Sequence, residues 1–223
     1  IDGTRSTIET LPEIVDAAET RSPDASRGEI IFDHVTFAYG DDVVLRDLSL
    51  TVPAGSILAV VGRVGSGKTT LGRLIPRLIE PQSGEIRIDG ISVADWPIQE
   101  LRSLIGFVPQ DSFLFSDTLG ENIALGVDTE GESKVDWASG ISRLSQDLED
   151  FPQGYETAVG ERGVTLSGGQ KQRAALARAV IREPTILILD DAMSSVDTHT
   201  EEEILDGLRT VMQNRTTILI SHR

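Results

Sequence analysis

The chain contains 223 residues, enough for one large domain or two small ones, and its 36 acidic and 20 basic side chains give a net charge of −16. That acidic excess argues against nonspecific binding of nucleic acid, whose phosphates would be repelled, and the lack of cysteine excludes disulfides, thiolate metal sites and cysteine nucleophiles. No apolar run approaches the ~18 residues of a membrane helix, so the composition taken alone indicates a soluble, cytosolic protein.

The first 27 residues predict a short helix and then a polar linker. Apolar side chains recur there at helical spacing, at Leu11, Ile14, Val15 and Ala18. The segment 20–26 is polar and contains a proline, so we place a domain boundary near Gly28.

The main domain begins with an alternation of apolar and polar residues that is typical of half-exposed antiparallel strands. The apolar positions are Ile31, Val35, Phe37 and Tyr39, followed by Leu48, Leu50 and Val52. Continuous apolar runs occupy 57–61, 185–189 and 217–220, and such runs are typical of strands covered on both faces. A helical segment at 170–182 lies between two of them, so the sequence predicts a parallel α/β core. The section from about 111 to 164 lacks such runs and predicts mostly helix.

A candidate phosphate-binding loop follows the first apolar run. It fits the pattern Gly-x-x-x-x-Gly-Lys-Ser/Thr at Gly62, Arg63, Val64, Gly65, Ser66, Gly67, Lys68 and Thr69, and Thr70 extends the predicted nucleotide-binding segment. The glycines let successive N–H groups point at phosphates, Lys68 supplies a positive charge, and the Thr69 hydroxyl is a magnesium ligand. A glycine-rich turn that binds no nucleotide is the alternative, and the strand–loop–helix context disfavours it.

A carboxylate marks the end of the second apolar run. Asp190 follows this predicted parallel strand, and side chains at that end of a strand face the ligand crevice, where a carboxylate can hold magnesium. An aspartate that only caps the next turn is the alternative. Because Lys68 is present, the magnesium role is favoured.

The segment 166–173 carries a more specific pattern, Leu-Ser-Gly-Gly-Gln-Lys-Gln-Arg. Ser167 and Gln170 fit a capping box that opens a helix, and a capped helix start beside bare glycine backbone is also an anion site. The residues Ser167, Gly168, Gly169 and Gln170 also resemble the signature sequence of ATP-binding cassette (ABC) proteins. The phosphate loop, this signature, Asp190 and His222 occur in the order of an ABC nucleotide-binding domain, so the resemblance extends from about Gly28 to the chain end.

The resemblance implies a P-loop (RecA-like) parallel sheet core with an N-terminal antiparallel β-subdomain and an inserted α-helical subdomain at about 111–164. It also implies roles for single residues. Tyr39 matches an aromatic residue that stacks on adenine, although a strand-face aromatic is the simpler alternative. Gln110 matches a glutamine that touches magnesium and links to the transmembrane domains. His222 matches a histidine that contacts the γ-phosphate, whereas a lone strand-end histidine would more often be structural.

Two further segments match parts of the family that contact other domains. The segment 157–163 resembles a loop with which exporters contact their transmembrane domains. The segment 194–197 matches a loop that crosses the interface between two nucleotide-binding domains, with Val196 at a position where many relatives have leucine.

The resemblance also divides the chain. Residues 1–18 resemble the tail of the last transmembrane helix of an exporter, so 1–27 are expected to be that tail and a linker, and 28–223 the nucleotide-binding domain. Relatives continue beyond the histidine that His222 matches, so a C-terminal part is expected to be missing.

Two such domains associate head to tail in this family and sandwich two ATP molecules, each held by the phosphate loop of one chain and the signature of the other. ATP and Mg²⁺ are therefore the expected cofactors. The resemblance implies that ATP hydrolysis powers export through transmembrane domains of the same polypeptide, at the cytoplasmic face of the cell membrane, with no nucleic-acid partner. The transported substrate stays open, because the transmembrane helices select it.

The chain departs from the family at Asp191, where most active members carry a glutamate that deprotonates the attacking water. Aspartate is one methylene shorter, and misplacement by about 1 Å can cost on the order of a hundredfold in rate. We expect this site to bind ATP well and to hydrolyse it slowly, unless a backbone shift compensates. An impaired site together with an intact signature resembles one subunit of a heterodimeric multidrug-type exporter with one degenerate ATP site. A second half-transporter is then the expected partner, and a homodimer is the alternative.

Two other functional classes compete with the exporter. A soluble ABC ATPase of DNA repair or translation predicts long insertions or basic faces, but Gly67 and Ser167 are only 100 residues apart and the chain is acidic. An inert regulatory module predicts the loss of Lys68 or Asp190, and both are present. The exporter is favoured.

Overall fold

The computed structural model describes residues 14–127, 132–160 and 163–222, which contain two four-stranded sheets of opposite kind. In chain order the strands are β1 (Ile30–Tyr39), β2 (Asp42–Val52), β3 (Ile57–Val61), β4 (Ser83–Ile88), β5 (Ile91–Ser92), β6 (Ile105–Val108), β7 (Ile186–Asp190) and β8 (Thr216–Ser221). The helices are α1 (Lys68–Leu74), α2 (Ile98–Ser103), α3 (Leu119–Ala124), α4 (Glu132–Ile141), α5 (Gly168–Val180) and α6 (Thr198–Met212), with 3₁₀ helices at Leu144–Asp150 and Gly154–Glu156. The predicted α/β class is confirmed.

The antiparallel sheet has the strand order β2-β1-β4-β5, and a bulge interrupts β1. His34 has a left-handed φ of 52°, and the pairing of β1 with β2 shifts register between Phe32 and Val35. Phe32 and Val35 are buried, whereas Ile31 is only partly buried and Tyr39 is exposed. The prediction that Ile31 shares the core face with Val35 was wrong, because period-two alternation does not continue across a bulge.

The parallel sheet has the strand order β3-β8-β7-β6. All five residues of β7 are buried, as its apolar run predicts. In β3 the prediction of two covered faces was wrong, since Ile57 is 54% and Val61 is 68% exposed. Within the described residues β3 is an edge strand paired only with β8, and the side chains on one of its faces, those of Ile57, Ala59 and Val61, are exposed. An apolar run alone does not distinguish an edge strand from a central one.

Helices occupy most of the section between β6 and β7, as predicted for about 111–164. Helix α5 joins this region to the parallel sheet: its Ala174 and Ala177 pack in the helical cluster, while Leu176 and Val180 pack with β7 and α6. It begins at Gly168, two residues before the predicted start, because Ser167 is its N-cap. None of the helices in the described segments is long and apolar enough to cross a bilayer.

The N-terminal segment does not form the predicted helix where it is described. Residues 14–18 are irregular, so the prediction was wrong for Ile14, Val15 and Ala18, while Leu11 lies outside the described residues. Tertiary contacts replace local ones, since the Asp16 carboxylate accepts a hydrogen bond from Ile98 N at 2.7 Å at the start of α2. A short apolar pattern is a weak helix signal, because an isolated short helix is only marginally stable.

A single carboxylate fixes the linker where the sheet begins. Asp89 lies in the tight turn between β4 and β5, and its two oxygens accept hydrogen bonds from Ser26 Oγ at 2.6 Å, Arg27 N at 2.9 Å, and Gly28 N and Glu29 N at 3.0 Å. Partial burial alone would raise the pKa of Asp89, but these donors outweigh it and lower the pKa. The predicted boundary near Gly28 therefore coincides with a charged anchor.

We predict that Asp89→Ala lowers the free energy of unfolding by roughly 2 kcal/mol, because four donors lose one ionised acceptor. Asp95→Ala is the matched control: it removes only the exposed ion pair with Arg21, worth less than about 1 kcal/mol. Denaturant unfolding measures the free energy of unfolding of both variants. Equal losses in the two variants would contradict the role of Asp89 in fixing the linker.

The same anchor predicts a pH dependence. Because the folded pKa of Asp89 lies below the ordinary value of 3.8, its stabilisation is complete above pH 3.8 and is lost as the pH falls from there through the lowered pKa. The difference in unfolding free energy between wild type and Asp89→Ala should therefore shrink in that acid range.

Candidate functional site

The phosphate loop connects the end of β3 to the start of α1, and two of its glycines have left-handed backbones. Gly65 has a φ of 83° and Gly67 a φ of 88°. A Cβ on Gly67 would also stand 2.9 Å from side-chain atoms of Val44 and Leu45 on β2. Only glycine therefore fits position 67, and β2 presses directly on the loop.

The side chain of Lys68 fills this loop. It is only 5% exposed, and its Nζ donates to the carbonyl oxygens of Gly62 and Arg63, both at 2.8 Å. A buried ammonium is stable only with such acceptors. The two bonds hold a positive charge within the turn, as the sequence predicts for a residue that meets phosphate.

The Thr69 hydroxyl lies beside the end of β7, where its Oγ1 donates to Asp190 Oδ1 at 3.2 Å. Asp190 is 1% exposed, and its Oδ2 is buried with no hydrogen-bond partner among the described residues. Burial raises the pKa of Asp190, and Asp191 raises it further, while Thr69, Arg73 and His222 oppose the change. A buried carboxylate oxygen without a partner, next to a hydroxyl, fits a hard cation such as Mg²⁺.

This pair is not a complete metal cage. The described part of the chain holds no cluster of three or more histidine, aspartate or glutamate side chains that could bind an ion alone. Mg²⁺ commonly takes one or two protein ligands and completes its shell with water and substrate phosphates. Thr69 and Asp190 fit that mode of binding.

Two other predicted residues lie at the same edge of the parallel sheet. Asp191 directly follows β7, and its N–H donates to Ile220 O of β8 at 2.9 Å. His222 directly follows β8, and its Nδ1 is buried without a hydrogen-bond partner in the described part of the molecule. The parallel pairing of β7 with β8 thus brings together residues that are 31 positions apart in the chain.

Gln110 and Tyr39 are both exposed. Val108 of β6 pairs with Leu189 of β7, so Gln110, two residues after Val108, follows the strand next to Asp190. Tyr39 ends β1, and its ring meets Phe37 edge to face with 4.8 Å between ring centroids. No contact of either side chain tests its predicted role, so both stay predictions.

The signature residues begin α5. The predicted capping box is confirmed: Ser167 Oγ accepts from Gln170 N at 3.2 Å, and Gln170 Oε1 accepts from Ser167 N at 3.0 Å. A Cβ at Gly168 would stand 3.3 Å from Ser195 Cβ, so the segment 194–197 lies against the glycine backbone. Among the described residues no hydrogen bond joins the signature to the phosphate loop.

Sequence reasoning missed a polar network between α5 and the segment after Gln110. The Arg178 guanidinium donates to Asn122 O at 2.7 Å, Asn122 Oδ1 at 2.9 Å and Phe113 O at 3.0 Å, and it lies 5.8 Å from the centre of the Phe115 ring. Asn122 is buried and also bonds to both backbone groups of Phe115. Phe113 nevertheless remains 66% exposed. The sequence feature that could have indicated this network is Arg178, a positive charge among the alanines of α5.

The segment 157–163 is described only in part, since Glu161 and Arg162 lie outside the described residues. Thr157 O accepts from Leu119 N at 3.0 Å, and Val159 N donates to Asp117 O at 2.9 Å. These bonds place the start of the segment beside α3 and next to the exposed phenylalanines.

Comparison with known proteins agrees with this geometry. A family model described as "ABC transporter" matches residues 45–194. An ATM1-type heavy metal exporter from Novosphingobium aromaticivorans is 45% identical over 97% of this chain, and an ATP-dependent lipid A-core flippase from Desulfotalea psychrophila is 44% identical over 97%. The solved structure of a bacterial Atm1-family ABC exporter with ATP bound matches the whole chain with a TM-score of 0.91 and 43% identity.

The chain spans only part of these relatives. It covers 36% of the heavy metal exporter, 38% of the flippase and 39% of the solved exporter chain.

We predict that Asp190→Asn removes the part of the stabilisation by ATP that depends on magnesium. Because burial raises the folded pKa of Asp190, its charge costs folding free energy at neutral pH, so the variant without ligand should melt no lower than wild type. ATP with Mg²⁺ at a hundred times its Kd should stabilise wild type by about 2.7 kcal/mol. In wild type, a chelator of magnesium should remove part of this stabilisation. In Asp190→Asn that part should already be missing, so the chelator should have no further effect.

Thermal melting with ATP, in magnesium or in chelator, measures this difference. Asp95→Asn, an exposed aspartate remote from the loop, is the control and should behave as wild type. A magnesium-dependent shift that persists in Asp190→Asn would contradict the assignment.

Proposed function

The chain belongs to the ABC transporter family, and on that premise we propose that it is the nucleotide-binding domain that hydrolyses ATP to power an exporter. One observation carries the proposal: a buried lysine in the phosphate loop is followed by a threonine whose hydroxyl donates to a buried aspartate with an unpaired oxygen. A merely structural strand end would not keep a carboxylate buried with an oxygen that has no partner. ATP supplies the phosphates that such a site lacks.

The proposed mechanism divides the work among residues at one edge of the sheet. Loop N–H groups and the Lys68 ammonium bind the β- and γ-phosphates. Thr69 and Asp190 would hold Mg²⁺, which when bound neutralises charge on the phosphates. Asp191 orients the attacking water and accepts its proton, and His222 donates to the γ-phosphate through its unpaired Nδ1 or the other ring nitrogen. Gln110, which follows the neighbouring strand, would also contact Mg²⁺, and Tyr39 stacks on the adenine.

The signature of this chain completes the ATP site of a second nucleotide-binding domain. One observation supports this proposal: Gly168 and Gly169 form the first residues of α5, where their backbone N–H groups have no acceptor within the helix and no side chain of their own covers them. A helix start of this kind binds phosphate from outside the chain.

The partner is a second half-transporter that carries glutamate where this chain has Asp191, so the assembled exporter has one slow and one fast site. The sequence departure at Asp191 supports the heterodimer, since an aspartate reaches roughly 1 Å less far toward the water. A homodimer with two slow sites is the alternative, and a soluble ABC ATPase outside transport is not supported by any relative reported above.

The exposed phenylalanines are the proposed contact with the transmembrane domains of the same polypeptide. Phe113 and Phe115 pack edge to face at 5.1 Å between centroids, and Arg178 and Asn122 hold their backbone. Rigid, exposed aromatic pairs favour protein contacts. A contact with these transmembrane domains would hold the chain at the cytoplasmic face of the cell membrane. The relatives are named for heavy metals and lipid A core, and the substrate of this exporter stays open because the chain spans about two fifths of such proteins.

The purified full-length exporter, with its partner, should hydrolyse ATP, and Asp191 should limit only its own site. We predict that Asp191→Ala lowers total turnover less than twofold and that removal of the partner's glutamate abolishes most of it. Asp191→Glu should raise hydrolysis at this site by ten- to a hundredfold, by restoring the reach of the base. Loss of most activity from Asp191→Ala alone would overturn the degenerate site, and a wild type without ATPase activity would overturn the proposed function.

Docking of the transmembrane domains can be tested with thiols, because this chain has no cysteine. In a full-length protein cleared of other cysteines, we predict that Phe113→Cys crosslinks to a cysteine placed in a cytoplasmic loop of the transmembrane domain. Val43→Cys, also exposed but on the antiparallel sheet, should not crosslink. Crosslinking of Val43→Cys but not of Phe113→Cys would contradict the proposed contact between the phenylalanines and the transmembrane domains.

A further inference from the structure

A buried glutamine on α5 holds the loop that follows Asp191. Gln172 is 4% exposed, and both ends of its amide are bonded to this loop. Its Nε2 donates to Ser194 Oγ at 2.8 Å, and its Oε1 accepts from Ser195 N at 2.8 Å. A buried amide is favourable only when its donor and acceptor are paired, so the two bonds specify one arrangement of loop and helix.

The same loop is bonded to Asp191 on its other side. Ser194 N donates to Asp191 O at 3.1 Å, and Asp191 N donates to Ile220 O of β8 at 2.9 Å. The side chain of Val196 is buried in the cluster with α6 and therefore fixes the far end of the loop. A displacement of Ser194 thus reaches Asp191 through a single backbone hydrogen bond.

The loop also touches the first residues of α5. A Cβ at Gly169 would stand 3.0 Å from Ser195 O, and one at Gly168 would stand 3.4 Å from Ser195 Oγ. Ser195 therefore lies against the glycine backbone in van der Waals contact, and its own N–H is held by Gln172. One side chain, Gln172, thus sets the position of the loop relative to both Asp191 and the start of α5.

We propose that Gln172 is a positioning residue that keeps the water-orienting Asp191 and the signature glycines in one fixed relation, so that loss of its amide slows ATP hydrolysis without weakening ATP binding. This inference rests on the proposed function, since it needs Asp191 and the signature to act on ATP. The phosphate loop, Thr69 and Asp190 make no described bond to Gln172. Gln172 therefore makes no direct contact with the residues proposed to bind ATP and Mg²⁺ in this chain's own site.

The test uses the full-length exporter assembled with its partner and compares wild type with Gln172→Ala. Hydrogen exchange of peptides that cover 191–197 reads the position of the loop, and steady-state hydrolysis gives kcat and KM for ATP. We expect faster exchange in this segment only, and a kcat at least tenfold lower with a KM within twofold of wild type. Turnover should fall whether this chain's own ATP site or the partner's site is the faster one. The loop contacts Asp191, which acts in the own site, and the signature glycines, which act in the partner's site.

Two further variants separate positioning from a general loss of stability. Gln172→Glu keeps an acceptor for Ser195 N and a second oxygen to which the Ser194 hydroxyl can donate, so it should recover at least a third of the lost turnover. Gln213→Ala removes an exposed glutamine at the end of α6 and should match wild type in exchange and turnover.

The outcomes are distinguishable. Unchanged exchange at 191–197 in Gln172→Ala, or faster exchange with unchanged kcat, overturns the inference. A fall in kcat with a matching rise in KM also overturns it, because ATP binding would then depend on the glutamine. A wild type that hydrolyses no ATP overturns the proposed function instead, and the exchange comparison still decides whether Gln172 holds the loop.

Discussion

The structure depends on a carboxylate buried where it is costly. Asp190 lies at the end of a strand that is buried along its whole length, and one of its oxygens has no partner in the described residues. Thr69, Arg73 and His222 offset the cost without removing it, since the pKa of Asp190 is still raised by burial. The cost is consistent with a ligand that completes this carboxylate, since folds often lose stability at the place where binding is required.

Helix α5 connects the surroundings of that site to the rest of the domain. Small alanines let it pack closely between the parallel sheet and the helical region, and three polar side chains extend from it in different directions. Gln172 reaches the loop after Asp191, Arg173 pairs with Asp147 of the first 3₁₀ helix, and Arg178 reaches the segment of Phe113. The bonds of Gln172 and Arg173 are partly buried, so they specify position more than they add stability, whereas the bond of Arg178 to Phe113 O is exposed. A shift of α5 would move the signature, the loop after Asp191 and the exposed phenylalanines together.

The sequence predicted the parts of the site in which local chemistry decides structure. The phosphate loop, the capping box at Ser167 and the buried run of β7 follow from residue types at short spacing. It did not predict the bulge at His34 or the exposed face of β3, because both depend on which strands are neighbours in the sheet. Gln172 and Asn122 were missed for the same reason. A buried amide is recognisable only after the groups that bond both of its ends have been located.

The backbone at Asp191 argues against a compensating shift in its position. Its φ of 48° is left-handed, a conformation that aspartate adopts more readily than glutamate. Its N–H is bonded to β8 and its carbonyl to Ser194, which is bonded in turn to Gln172. Movement of this residue by about 1 Å toward a water would break or stretch these bonds, each worth roughly 1 kcal/mol. We therefore expect the network that positions Asp191 also to prevent it from moving toward the water, and this rigidity supports the proposed slow site.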